Sequence, residues 1–162
     1  SNLGTAYARS VRYEDAIQAY QKALEIDDSD WLAWGNMAYV YSWMDGMEEE
    51  TERTFEKAIE LAEAAKAQDS RDPYIFSDLS LYYAKTGNAE LALQNQKTAV
   101  TLAPDTGEIL AAAAEASETL GRRDDALKFV RRSLDSGYPM KTLQRNEELA
   151  DLLQDPSIRS HP

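Results

Sequence analysis

Small apolar residues return along this chain at a fixed step. Ala16, Ala58, Ala92 and Ala126 are spaced by 42, 34 and 34 residues, and Leu3, Met37, Leu79 and Ala113 by 34, 42 and 34. Both series share a step of 34 with one step enlarged by eight, so a single insertion lies between Met37 and Ala58. Repetition at that period marks a stacked-repeat architecture, in which each unit finds a partner for its apolar face only in its neighbours. Strands and closed single-core folds are disfavoured from the outset.

The unit is clearest from Pro73 to Pro104. Phe76, Leu79, Ser80 and Tyr83 fall at i, i+3, i+4 and i+7, one face of an α-helix. Gly87-Asn88 then reads as a helix end followed by a cap. Ala92, Leu93, Gln96, Ala99 and Val100 restart the helical period, and Pro104 ends it. The result is a helical hairpin with one apolar seam. The recurring alanines belong where the two helices cross closely, because a larger side chain would force them apart. On that reading, Ala92→Trp unfolds the array cooperatively.

These residues resemble the tetratricopeptide repeat, with its Leu-Gly, Tyr, Ala, aromatic, Ala and Pro positions. The first unit carries Leu3-Gly4, Tyr7, Tyr13, Ala16, Tyr20 and Ala23, and the second Trp34, Met37-Ala38, Tyr41, Ala58, Ala62 and Ala65. The third carries Leu79-Ser80, Tyr83, Gly87, Ala92, Ala99 and Pro104, and the fourth Leu110, Ala113-Ala114, Gly121, Ala126, Val130 and Ser133. Three positions depart from the pattern: Gln96 replaces an aromatic, Ser117 a tyrosine, and Asp28 stands where proline often closes a unit. The resemblance implies an all-α, right-handed α-solenoid of stacked antiparallel helix pairs, and a protein-interaction role.

The expected organisation is a single domain over 1–162. A truncated first repeat covers about 1–30, a second 31–72 with the eight-residue insertion, a third 73–106, a fourth 107–138, and a cap 139–162. The surplus falls in the second helix of repeat two, roughly Met47 to Ala67, adding about 12 Å. Its acidic overhang MEEETERTF carries Phe55, expected to pack on Trp43 or Met44, with a partner-binding ridge as the alternative. Leu143, Leu149, Leu152 and Leu153 give the cap an apolar side for the terminal repeat, and Asp155-Pro156 reads as an N-cap and first helical position. The tail, including Asn146-Glu147-Glu148-Leu149, resembles the terminal repeat module of bacterial serine/threonine protein kinases and related multidomain signalling proteins. Asn146 stands where such tails more often carry aspartate. Leu3-Gly4 already lies midway through a first helix, and Ser1-Asn2 reads as an expression scar. A C-terminal piece of a longer protein is therefore the expectation.

Composition narrows the partners. A net charge of −12 disfavours nucleic acid and anionic lipid and favours a basic or apolar protein partner. There is no cysteine, and the one histidine, His161, sits at the terminus. No apolar run approaches the ~20 residues of a bilayer span. The compartment stays unknown, cytoplasmic by default and extracytoplasmic if the piece is attached beyond a membrane segment of a longer chain. Catalysis, cofactors and metal sites are not expected. Glu115 and Glu118, and the run Glu48–Glu52, lack any accompanying histidine, phosphate loop or nucleophile.

The expected binding surface is the face of each first helix opposite its seam. Over 73–86 the helical wheel gives Tyr74, Ser77, Asp78, Leu81 and Lys85. Its counterparts are Leu32, Gly35, Asn36, Tyr39 and Trp43 in the second unit, Glu108, Ala111, Ala112, Glu115 and Thr119 in the fourth, and Thr5 and Arg9 in the first. Peptide contacts are thus expected from Asn36, Tyr39, Trp43, Tyr74, Asp78, Leu81, Lys85, Glu108 and Glu115. Partly exposed aromatics are typical anchors, and the Glu108–Glu115 end suits basic residues. Thr5, Tyr74 and Asp78 stand where the carboxylate clamp of chaperone-binding repeats needs polar or basic groups, so that mode is disfavoured. A structural spacer, or weak self-association through Leu3 and Tyr7, is the competing expectation.

Overall fold

The computed structural model describes residues 12–159, and the described residues are helical without a strand. Thr5, Arg9, Leu3, Tyr7 and His161 lie outside them. The chain divides into two compact units, one through Ala67 and one from Gln68.

The first unit holds α1 (Tyr13–Leu24), α2 (Trp31–Ser42) and most of α3 (Glu48–Gln68). Asp30 caps α2 by accepting from Ala33 N at 3.0 Å, which satisfies one of the orphan donors of the first turn. Trp34 Nε1 donates to Asp28 O at 3.0 Å and ties the α1–α2 connection to the first turn of α2. The core is small: Ala16, Ile17, Tyr20 and Leu24 from α1 meet Ala33, Met37 and Val40 from α2. At 21 residues, α3 is longer than the second helices of the following repeats, which have 14 and 13.

The second unit holds α4 (Pro73–Lys85), α5 (Ala89–Leu102), α6 (Gly107–Thr119) and α7 (Arg123–Asp135). A tail follows with α8 (Met140–Leu143), two 3₁₀ turns at Glu147–Leu149 and Leu152–Gln154, and α9 (Pro156–Arg159). The two hairpins, α4 with α5 and α6 with α7, stack through α4 and α6. At the α4–α5 turn, Gly87 N donates to Ala84 O and Asn88 N to Tyr83 O at 2.8 Å. That pair of bonds needs a left-handed residue, and Gly87 supplies it at φ +77°. Asn88 then accepts from Leu91 N at 3.3 Å and starts α5, so three residues, Thr86 to Asn88, turn the chain round.

All four recurring alanines, Ala16, Ala58, Ala92 and Ala126, are completely buried. Each therefore sits where only a methyl group fits. On α4 the expected seam residues Leu79 and Ser80 are buried, and so are Ile75 and Tyr82 at 3% and 4% exposure, off that seam. α4 packs against both α5 and α6, whereas a one-seam reading of the helix provides for a single partner.

The tail completes the second core. Leu143, Leu149, Leu152, Leu153 and Ile158 pack with Ala126 and Val130 of α7, covering the apolar face that a last repeat leaves open. Asp155 Oδ1 accepts from Ser157 N at 2.9 Å and from Ser157 Oγ at 2.6 Å, and Pro156 opens α9. Among the described residues no helix is long and apolar enough to cross a membrane.

Candidate functional site

Of the expected contact residues, Asn36, Tyr39 and Trp43 belong to the first unit. All three are half-buried. Tyr39 and Trp43 lie one turn apart on α2 with ring centroids 6.4 Å apart, and Trp43 lies 6.2 Å from Tyr13 of α1. Tyr39 also meets Phe55 edge-on, with centroids 5.3 Å apart. The aromatics thus form one chain, Tyr13–Trp43–Tyr39–Phe55. Phe55, at 1% exposure, meets Tyr39, a contact the sequence reading did not name. The acidic start of α3 is anchored by this ring, and its carboxylates Glu48, Glu49 and Glu52 face solvent.

In the second unit, Tyr74, Asp78, Leu81 and Lys85 run along α4 from its first turn to its last. Asp72 caps that first turn, accepting from Tyr74 N at 2.8 Å. Tyr74 is 47% exposed, and Asp78 and Leu81 are half-buried. Such a stripe of an exposed aromatic, a carboxylate and an aliphatic residue offers an apolar anchor beside a charge.

The far end of the stripe is occupied by the chain itself. Lys85 forms an ion pair with Glu148 of the tail, its side chain only 12% exposed. Asn146 Nδ2 donates to Glu115 Oε2 at 2.6 Å, and Glu115 is 8% exposed. Asn146 also accepts from Glu148 N at 3.0 Å, which turns the tail so that Glu148 faces Lys85. Arg123 holds Glu118 at 2.6 Å and donates to Asp151 O at 3.2 Å. Glu115 therefore sits beneath the tail, and the exposed carboxylate of this end is Glu108. Burial first, and then Glu108, pushes the Tyr138 phenol above its ordinary value. The part played by Asn146 and Glu148 in covering Lys85 and Glu115 went unseen in the sequence, where the only signal was an asparagine able to cap a short turn. Among the described residues no group of three His, Cys, Asp or Glu side chains could hold a metal ion.

Residues 1–30 and 75–106 each match a family model of the tetratricopeptide repeat. Those two segments match as tetratricopeptide repeats, and the all-helical fold of the described residues is that of tetratricopeptide-repeat solenoid proteins. One solved structure of this kind is TTC0263, a thermophilic tetratricopeptide-repeat protein of Thermus thermophilus. It is 21% identical, with a TM-score of 0.57, over 94% of this chain and 96% of that one. A crystal structure of MamA is 18% identical, with a TM-score of 0.43, over 83% of this chain and 94% of that one. No curated protein sequence matches the chain. The two matched segments are repeats of a kind that serves protein–protein interaction.

Proposed function

We propose that the scaffold binds a peptide or partner segment on the inner faces of its first helices, with Tyr74 as the principal anchor. The observation that carries this reading is the exposure of Tyr74, at 47%, in line with Asp78 and Leu81 on α4. A half-exposed tyrosine on a rigid, capped helix contributes contact area at low entropic cost. Asn36, Tyr39 and Trp43 give the first unit a second contact surface of the same kind. The net charge of −12 and the exposed Glu108 favour a partner with basic and apolar residues. Lys85 and Glu115, engaged by the tail, serve this surface by fixing its end. The tail's resemblance to kinase-associated repeat modules supports a regulatory appendage of a larger bacterial signalling protein.

Peptide arrays of basic-apolar segments, followed by titration of the tightest binders, test the reading. Tyr74→Ala is expected to weaken binding about thirtyfold, as loss of a hot-spot aromatic does, and Glu108→Lys about threefold. Equal affinity for wild type and Tyr74→Ala would remove the proposal.

A further inference from the structure

On the other side of α2 lies a groove that the inner-face reading does not use. Trp34, Met37 and Tyr41 lie about half a helical turn around from Asn36, Tyr39 and Trp43. With Leu24 of α1 they floor a cavity of 710 Å³ within the first unit, walled by α1 and α3. A volume of this size is ordinary for a binding cleft. Leu24 and Met37 belong to the unit's core, so the accessible apolar surface of the cavity is that of the half-buried Trp34 and Tyr41.

The two walls carry opposite charge. Glu25 stands on the α1 side and Arg53 on the α3 side, both exposed, and neither forms an ion pair among the described residues. Lys57, also on the α3 side, is taken up by Glu60 at 2.9 Å. The Tyr41 hydroxyl makes no hydrogen bond among the described residues, while burial, then Glu50, raises the phenol's pKa against the pull of Arg53. Beside Glu25, Ile26 is 90% exposed and carries the apolar surface out past the rim.

We infer that this groove seats an amphipathic α-helix of a partner protein, with an apolar ridge on Trp34 and Tyr41, a basic flank toward Glu25 and an acidic flank toward Arg53. An apolar ridge at helical spacing fits a floor flanked by helices. The opposed charges set the partner's orientation and select against helices with two like-charged flanks. A partner with balanced flanks also avoids the long-range repulsion that the chain's net charge imposes on an acidic one. The inference concerns the face opposite Tyr74 and stands apart from the peptide reading above.

The probe is a synthetic alanine-based helix with Leu and Phe on one ridge, Lys along one flank and Glu along the other, read by fluorescence anisotropy. Glu25→Lys makes both walls basic and Arg53→Glu makes both acidic. Each is expected to weaken binding about tenfold, since like charges then face one flank of the probe. The double variant restores opposed walls, and the probe regains affinity to within about threefold by lying in the reverse direction. Control helices with two Lys or two Glu flanks bind wild type about tenfold more weakly. Both substitutions are on exposed positions, and unchanged circular-dichroism melting curves check the fold. Absence of binding to wild type, single variants that bind as wild type does, or a double variant that fails to recover would each overturn the assignment. Concentration-dependent mass in light scattering that either single variant abolishes would place a second copy in the groove and overturn the partner assignment.

Discussion

Gln96 Nε2 donates to Ser117 Oγ at 2.9 Å, and both side chains are buried. These are two of the three positions at which the chain departs from the repeat pattern, one replacing an aromatic and the other a tyrosine. The departures are partners. Where two rings would pack, an amide from α5 reaches a hydroxyl on α6, and the same Nε2 also donates to Ala113 O at 2.8 Å. A buried polar pair is tolerated because each member satisfies the other. Ser117→Ala is expected to cost about 1–2 kcal/mol and Gln96→Leu a similar amount, each stranding a partner. In the double variant the loss falls short of the sum by about 1 kcal/mol, measured as a double-mutant cycle in urea. Strict additivity would show that the two are not coupled.

Gly107 opens α6 under the loop that ends the second hairpin. A Cβ there would come within 2.5 Å of Tyr138 Cβ and 2.7 Å of Ser136 Oγ, and Gly107 O already accepts from Ser133 Oγ at 2.8 Å. Tyr138 Cβ is fixed to its backbone, so the loop itself must move. Gly107→Ala is expected to lose about 1–3 kcal/mol by overpacking, although alanine is the better helix former. A denaturation midpoint equal to or above that of wild type would contradict this close approach.

What the sequence made legible was local or periodic. The glycine turns and the Asp155-Pro156 start of α9 depend on chemistry within a few residues, and the alanine step depends on a repeat that any window reveals. Ile75 and Tyr82 escaped because one seam read along α4 marks a single face, and both lie off it. Phe55 meets Tyr39 through the side-by-side register of α2 and α3, which spacing along either helix leaves open. The pairing of Gln96 with Ser117 was hidden for the same reason: each looked like a lapse from the pattern until packing brought them together. Of the candidate contact residues, Lys85 and Glu115 needed the tail's path to be known before their role could be read.

The tail's seat on α4 and α6 yields a further test. Lys85 in its pair with Glu148 is mostly covered while Glu148 is about one-third exposed, so the attraction is partly screened, though less than at an open surface. Lys85→Met is expected to release the first 3₁₀ turn by about 1 kcal/mol, seen as roughly fivefold faster amide exchange over 147–151 with α5 unaffected. Asn146→Leu should act more strongly, because it leaves the buried Glu115 carboxylate without that donor; about 1.5–3 kcal/mol is expected. Exchange rates over 147–151 that match wild type in both variants would show that the apolar residues alone hold the tail.

The last turn responds to pH through Asp155. The Ser157 hydroxyl first, and then the Ser157 N–H, hold its carboxyl below the ordinary value of 3.8. A carboxylate whose native pKa lies below its unfolded value stabilises the fold fully above that unfolded value. The contribution is lost as pH falls through the lowered native pKa. Ile158, fully buried, rides on the turn that Asp155 caps, so the effect reaches the second core. Asp155→Ala should therefore lower the urea midpoint by a constant amount above about pH 5, and the gap from wild type should narrow below about pH 3. A gap that stays constant down to about pH 2 would show that the charge on Asp155 contributes nothing to the cap.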